Sequence, residues 1–227
     1  MTPRDKILLS DAAAVVKQFV PETTIYPKEL SRLHRFIAFI LFFNKSYLNR
    51  YWTTIGYEMA YPSNPVWHVV FHEGVHVRQA EKYTRIGFGF LYLFPQTLAA
   101  LVVLAPILSW WWLLALLFLA PLPAPFRMLF ELEAYQMSVS IHQWRNGSTS
   151  KMKRYIDQIV SNFTGPGYWF MWPWKSYIRR KLEEAQDKAF FLRYNISDPY
   201  EIAVLQFLID TGELEEQGTI TGNKGIE

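Results

Sequence analysis

The chain has 227 residues, enough for one large domain or a domain with a small appendage. Charged residues make up only 19% against 51% hydrophobic and 17% aromatic, well below the roughly one quarter that soluble domains carry. A net charge of +3 with no long Lys/Arg block excludes a nucleic-acid track, and the lack of cysteine excludes disulfides, iron–sulfur clusters and thiolate metal sites.

Any metal must therefore be held by histidine and carboxylate. Residues 1–20 carry Asp5 and Asp11 and no signal-peptide apolar core, so secretion is not indicated. Helices are expected over 10–20 and 28–44. The second begins basic (Lys28, Arg32, His34, Arg35) and ends in an apolar run over 36–43. That run is too short to span a bilayer and fits either a buried core helix or a membrane-surface helix.

Residues 50–61 are aromatic and β-branched and stop at Pro62-Ser63-Asn64-Pro65, which predicts a short hairpin or edge strand with a turn or bulge at Gly56. Asn64-Pro65 then opens a helix running to about residue 85. Between Arg85 and Arg127 there is no charged side chain, and Pro95, Pro106, Pro121, Pro123 and Pro125 punctuate the stretch. Residues 86–126 are expected as an apolar helical hairpin, with arms near 88–107 and up to 120 and a turn near 108–110. The first arm has the roughly 20 apolar residues a span needs. The second is short, so the hairpin either spans or lies tilted, shallow or re-entrant. Trp110-Trp111-Trp112 suits an interfacial aromatic belt. The alternative is a helical pair buried in an oligomer.

Helices are expected again over 126–144, 151–163, 175–193 and 198–210, with an aromatic loop over 165–174 and a polar, mobile tail over 212–227. The fold class is thus mainly α with a small β hairpin or edge strand, in one domain over 1–227 interrupted by the insert.

His72-Glu73-Gly74-Val75-His76 is the chemical signal. Histidines at i and i+4 point to one face of a helix and can share one Zn²⁺, while Glu73 is placed to take a proton from the attacking water. A second helix offers Glu131 and Glu133. These lie about 200° apart around a helix, so only one can join the histidines. His68 continues the stripe one turn earlier and suits a supporting role. His34 and His142 read as ordinary surface or core histidines. Tyr168, Tyr135 and His142 are candidates for stabilising an oxyanion.

HExxH followed much later by Glu131-x-x-Ala134 resembles the gluzincin arrangement of zinc peptidases. More narrowly, it is similar to the membrane-embedded families of the heat-shock and CAAX-processing type, in which a transmembrane hairpin separates the motif helix from the helix bearing the third ligand. The resemblance covers about residues 50–145. It implies a zincin-like core with His72, His76 and Glu131 as the metal ligands, Zn²⁺ as cofactor and Glu73 as general base. Tyr135 stands where such families often place an aspartate. The chain also resembles short His-Glu-x-x-His-x-x-Gln proteins of bacteria and phages, a pattern matched by Gln79.

The expected activity is hydrolysis of a peptide or protein near membrane lipid, with the substrate extended along residues 50–61. Arg78, Lys82 and Arg85 before the insert, and Arg127 and Arg145 after it, put both ends on the cytoplasmic side by the positive-inside rule. A catalytically inactive relative serving as a membrane or structural component is the other reading.

Overall fold

The computed structural model describes residues 2–40, 47–146, 149–191 and 196–214. Helix α1 (Pro3–Phe19) opens on a reciprocal cap. Thr2 accepts from the Asp5 amide, the Asp5 carboxylate accepts from the Thr2 amide, and Pro3 fills the first turn. The helix starts well before the expected residue 10 because this start signal precedes its apolar stripe of Leu8, Leu9, Ala12, Val15 and Val16.

Three strands follow in the spatial order β1-β3-β2. The expected hairpin is β2 (Thr53–Ile55) and β3 (Glu58–Tyr61), antiparallel, with Ile55 opposite Glu58 across a two-residue turn. Gly56 sits there at φ +61°, a conformation that disfavours any side chain. Strand β1 (Thr24–Pro27) runs parallel to β3 and has no counterpart among the elements expected from sequence. Its four residues carry no alternation, so only its partner defines it as a strand. Among the described residues β2 pairs with β3 alone and is an edge. Alternation from the Ile55–Glu58 pair directs the backbone of Thr54 away from β3.

Between β1 and β2, Lys28–Leu30 make a 3₁₀ turn, α2 covers Arg32–Ile40 and α3 covers Tyr47–Arg50. The rest of the helix expected over 28–44 lies outside the described residues. The buried Lys28 ammonium donates to the carbonyls of Tyr47 and Tyr51, tying this stretch to the foot of β2.

Helix α4 (Val69–Tyr83) carries the motif and is buried on nearly every side, including His72, Glu73, Gly74 and His76. It packs on α1, on β2 and on α6 (Pro125–Asn146). α7 (Thr149–Thr164) and α8 (Lys175–Phe191) pack against the other flank of α6, and α9 (Pro199–Asp210) closes onto α1 and α6. Two large apolar cores and a small one around Ala80, Phe88 and Phe130 result among the described residues. Of the large ones, one joins α1, α4 and α9 around Phe71, Val204 and Phe207; the other joins α6, α7 and α8 around Ile156, Phe163 and Leu182. The motif lies between them. Residues 192 and 193 of the expected helix, and 215–227 of the expected tail, lie outside the described residues.

Gly74 is required by packing. A Cβ there would lie 2.1 Å from Tyr200 Oη and 2.8 Å from Val16 Cγ2, and that hydroxyl donates to the Phe71 carbonyl. Alanine is intrinsically the better helix residue by about 0.5–1 kcal/mol. Overpacking at about 1–3 kcal/mol outweighs it. Gly74→Ala should therefore lower the denaturant midpoint at an unchanged slope; a rise in that midpoint would show that the Tyr200 contact yields.

The insert differs from the expected hairpin of long helices. α5 (Arg85–Tyr92) ends before Pro95, whose missing N–H and ring oppose helix continuation. The chain then bends by 96° into a 3₁₀ helix over Gln96–Leu104, and a second 3₁₀ helix over Trp110–Leu119 packs back against the first. Among the described residues no single helix is long and apolar enough to cross a membrane. At about 2.0 Å rise per residue, each 3₁₀ arm is about 18–20 Å long. A bilayer core is about 30 Å thick.

Candidate metal centre

One turn of α4 brings His72 and His76 side by side, and α6 supplies Glu131 opposite them. His72 Nε2 lies 3.7 Å from Glu131 Oε2, and His76 Nε2 lies 3.6 Å from Glu131 Oε1. These are long for hydrogen bonds. Ligand atoms about 2.0–2.1 Å from a tetrahedral centre lie roughly 3.3–3.4 Å apart, close to the spacing seen. Among the described residues this is the group of His, Asp and Glu side chains arranged to hold a metal ion, and all three are buried.

The neighbours fix which way each ligand faces. His76 Nδ1 is 2.8 Å from Gln79 Oε1, and the Gln79 amide nitrogen donates to the Phe130 carbonyl at 3.1 Å and to Glu133 at 2.8 Å. With its nitrogen so used, Gln79 offers oxygen to the ring. Nδ1 must carry the proton, leaving the Nε2 lone pair toward Glu131. The Ser138 hydroxyl donates to the Ala134 carbonyl and accepts from His72 Nδ1 at 3.0 Å, which sets the same tautomer there. Tyr92 Oη donates to Glu131 Oε1, while Oε2 is buried with no hydrogen-bond partner among the described residues. Two imidazole lone pairs and a carboxylate facing one another repel unless a cation lies between them. The donor set, two imidazole nitrogens and a carboxylate, fits a divalent transition-metal ion.

The electrostatics agree. Burial alone would raise the Glu131 carboxyl, yet His76 and His72 hold it down to about 2. Burial likewise opposes the His72 imidazolium, but Glu131 and Glu73 outweigh it and raise that pKa. The centre favours positive charge.

Glu73 is not among those three. It points toward β2, where the Thr54 hydroxyl donates to Glu73 Oε2 at 2.6 Å. Glu73, the three candidate ligands and the edge strand border one cavity of about 490 Å³. Tyr135 and Tyr168 line it as well, their hydroxyls 2.9 Å apart, and burial raises both phenol pKa values.

Glu131, not Glu133, faces the histidines. Glu133 turns to Gln79, so it acts two contacts away from His76 Nε2. His68 immediately precedes α4, outside the cluster and 3.3 Å from Arg145, and burial lowers its pKa to about 4. His34 is buried against Tyr47, and His142 stacks on Tyr155 and does not line the cavity. Sequence reasoning missed the parts of Ser138, Thr54, Tyr92 and Arg127. Only α6 held a signal, since Arg127, Glu131, Tyr135 and Ser138 recur at one helical spacing.

Contacts of this kind around a metal ligand are worth about 10–100-fold in metal affinity. Gln79→Ala should show that loss in a competition titration, and Glu133→Ala a smaller one. Equal affinity in Gln79→Ala and wild type would remove Gln79 from the centre.

No protein family, curated protein or solved structure matches the chain. The site's geometry therefore carries the functional reading.

Proposed function

We propose that the chain is a zinc-dependent peptidase working at a membrane surface. The observation that carries this is the approach of His72 and His76 Nε2 to the two oxygens of Glu131, with Glu73 beside them on the same helix. A motif helix, a third ligand on a second helix and an adjoining edge strand together make a zincin-like core.

His72, His76 and Glu131 would hold Zn²⁺. When bound, the ion acts as a Lewis acid and brings the pKa of water toward neutral. Glu73 accepts the proton of the water that attacks the peptide carbonyl carbon, and Thr54 fixes the direction of its carboxylate. As the new C–O bond forms and the C–N bond breaks, Glu73 hands that proton to the leaving amine. The substrate lies extended along β2, whose outer edge is unpaired. Tyr168 and Tyr135 are the candidates for meeting the oxyanion, and His142 is set aside by its position.

The purified protein should contain about one zinc per chain. Chelation should abolish peptide hydrolysis and zinc should restore it. Wild type that binds no divalent ion after reconstitution sinks the proposal.

Membrane contact is supported by the insert's exposed Val103, Ile107, Trp110, Trp111, Leu114 and Leu117. Trp169, Phe170 and Trp174 are also exposed, on a loop joined to the foot of the insert by the Ala124 amide and the Met171 carbonyl. Arms of about 18–20 Å enter one leaflet and return. The cytoplasmic side rests on the basic residues at the ends of the insert. Of these, Arg127 lines the cavity, and Arg78, Arg85 and Arg145 pair with Asp198, Glu22 and Glu213.

The insert is not dispensable as a block, because Phe88 packs on His76 and Tyr92 binds Glu131. Replacing only residues 96–120 with a short polar linker should give a protein that stays in the supernatant and keeps its metal. Sedimentation with membranes would move the anchor to 36–43 or 168–174.

A further inference from the structure

Helix α6 presents Arg127, Glu131, Tyr135 and Ser138 on one face, at spacings of four, four and three. Glu131 meets the histidines, Tyr135 meets Tyr168, and Ser138 fixes His72. Arg127 meets neither histidine, and its charge faces Glu131 and the Tyr92 hydroxyl. It lines the cavity, with its guanidinium 5.2 Å and 5.5 Å from the ring centroids of Tyr92 and Tyr168. Its Nε is buried without a hydrogen-bond partner among the described residues. Glu131, one turn away, is already engaged by His72, His76 and Tyr92. A guanidinium framed by aromatic rings and facing a cavity is built to receive an oxyanion, and its planar fork matches a carboxylate.

We propose that Arg127 binds the free C-terminal carboxylate of a peptide, so that the cavity takes its substrate by that end. Cleavage at this position rests on the peptidase reading; binding does not. Reach supports the assignment. One residue of extended chain advances about 3.3–3.6 Å. A charge-assisted hydrogen bond adds about 2.7–2.9 Å. Together they come to about 6.0–6.5 Å, which matches the rise of about 6.0 Å over the four residues from Arg127 to Glu131. A carbonyl at the level of Glu131 therefore puts the carboxylate of the following residue within reach of Arg127. Water adds to that carbonyl carbon and the last C–N bond breaks. The shortened chain leaves as a carboxylate, and the released amino acid takes its proton from Glu73.

The test begins with binding, in protein kept metal-free by chelator, since a bound ion would itself take a carboxylate. N-acetylphenylalanine and N-acetylphenylalaninamide are titrated calorimetrically into wild type, Arg127→Gln and Arg127→Lys. Wild type should prefer the acid by roughly tenfold to a hundredfold, the range expected for hydrogen bonds to a charged group. Arg127→Gln should lose the preference and Arg127→Lys should keep part of it. Equal binding of acid and amide by wild type overturns the proposal whatever the variants do, and so does a preference that survives in Arg127→Gln.

Zinc-loaded protein is then given one peptide as free acid and as amide. Wild type should favour the acid through KM. A fall in kcat by the same factor on both peptides in Arg127→Gln would overturn the proposal and assign the guanidinium to the developing oxyanion. Arg127-dependent binding of the acid without cleavage of either peptide supports the carboxylate site and rejects the peptidase reading. Cleavage of both without acid preference does the reverse.

Discussion

Glu73→Gln should bind one zinc per chain as tightly as wild type and hydrolyse peptide roughly 10²–10⁴-fold more slowly, the usual contribution of a positioned general base. The amide keeps the size of the carboxylate and can still take the Thr54 hydrogen bond through its oxygen. Glu73 is not among the three converging ligands, so the metal should be untouched. The split between retained metal and lost turnover separates a base from a ligand. Loss of zinc in Glu73→Gln would make Glu73 a ligand, and full turnover would move the base elsewhere. Thr54→Val should lower kcat less, because it frees the carboxylate without removing it.

His72→Ala, His76→Ala and Glu131→Ala should each release the ion. Binding of structural zinc by four ligands is worth about 10–16 kcal/mol, so one ligand carries about 2.5–4 kcal/mol, or on the order of 10²–10³-fold in affinity. Glu133→Ala should stay far closer to wild type, since Glu133 reaches the centre only through Gln79 and His76. If Glu133→Ala lost the ion and Glu131→Ala kept it, the ligand assignment would be reversed. The same centre should release metal in acid. Metal binding needs His72 neutral, and Glu131 and Glu73 hold its proton above the ordinary imidazole value despite burial. Glu131 is held down to about 2 and competes for no proton near neutrality. As pH falls through the raised His72 value, each unit should cost up to about tenfold in affinity. Titrations between about pH 8 and about pH 5.5 check this. A flat profile would mean that His72 does not bind the ion through a nitrogen it must first deprotonate.

Much of the site is legible in the amino-acid sequence, because its information is local. Two histidines four apart on a helix share a face in any fold, and Gly56 within an aromatic and β-branched stretch marks a turn or bulge because glycine alone takes positive φ freely. The exclusion of Glu133 as a partner of Glu131 also follows from helix geometry alone. Which of the two faces the histidines is suggested in the sequence only by resemblance; the packing of α6 on α4 decides it.

Other features have no local signature. β1 exists because β3 runs beside it, and its four residues show no alternation. The insert reads as a hairpin from composition, and its two arms do pack together. The bend and the short 3₁₀ arms depend on Pro95 and on contacts among apolar side chains that look alike in sequence. The sequence by itself determined the chemistry on offer: no thiolates, two imidazoles and a carboxylate on one helix, and a charge-free stretch between Arg85 and Arg127. Tertiary structure alone decided what meets that chemistry. Tyr92 reaches Glu131 from 39 residues away and Thr54 reaches Glu73 from 19. Arg127 is turned into the cavity. Contacts between elements distant along the chain are fixed by how the apolar cores close around α4 and α6, and no spacing rule within one helix or strand contains that.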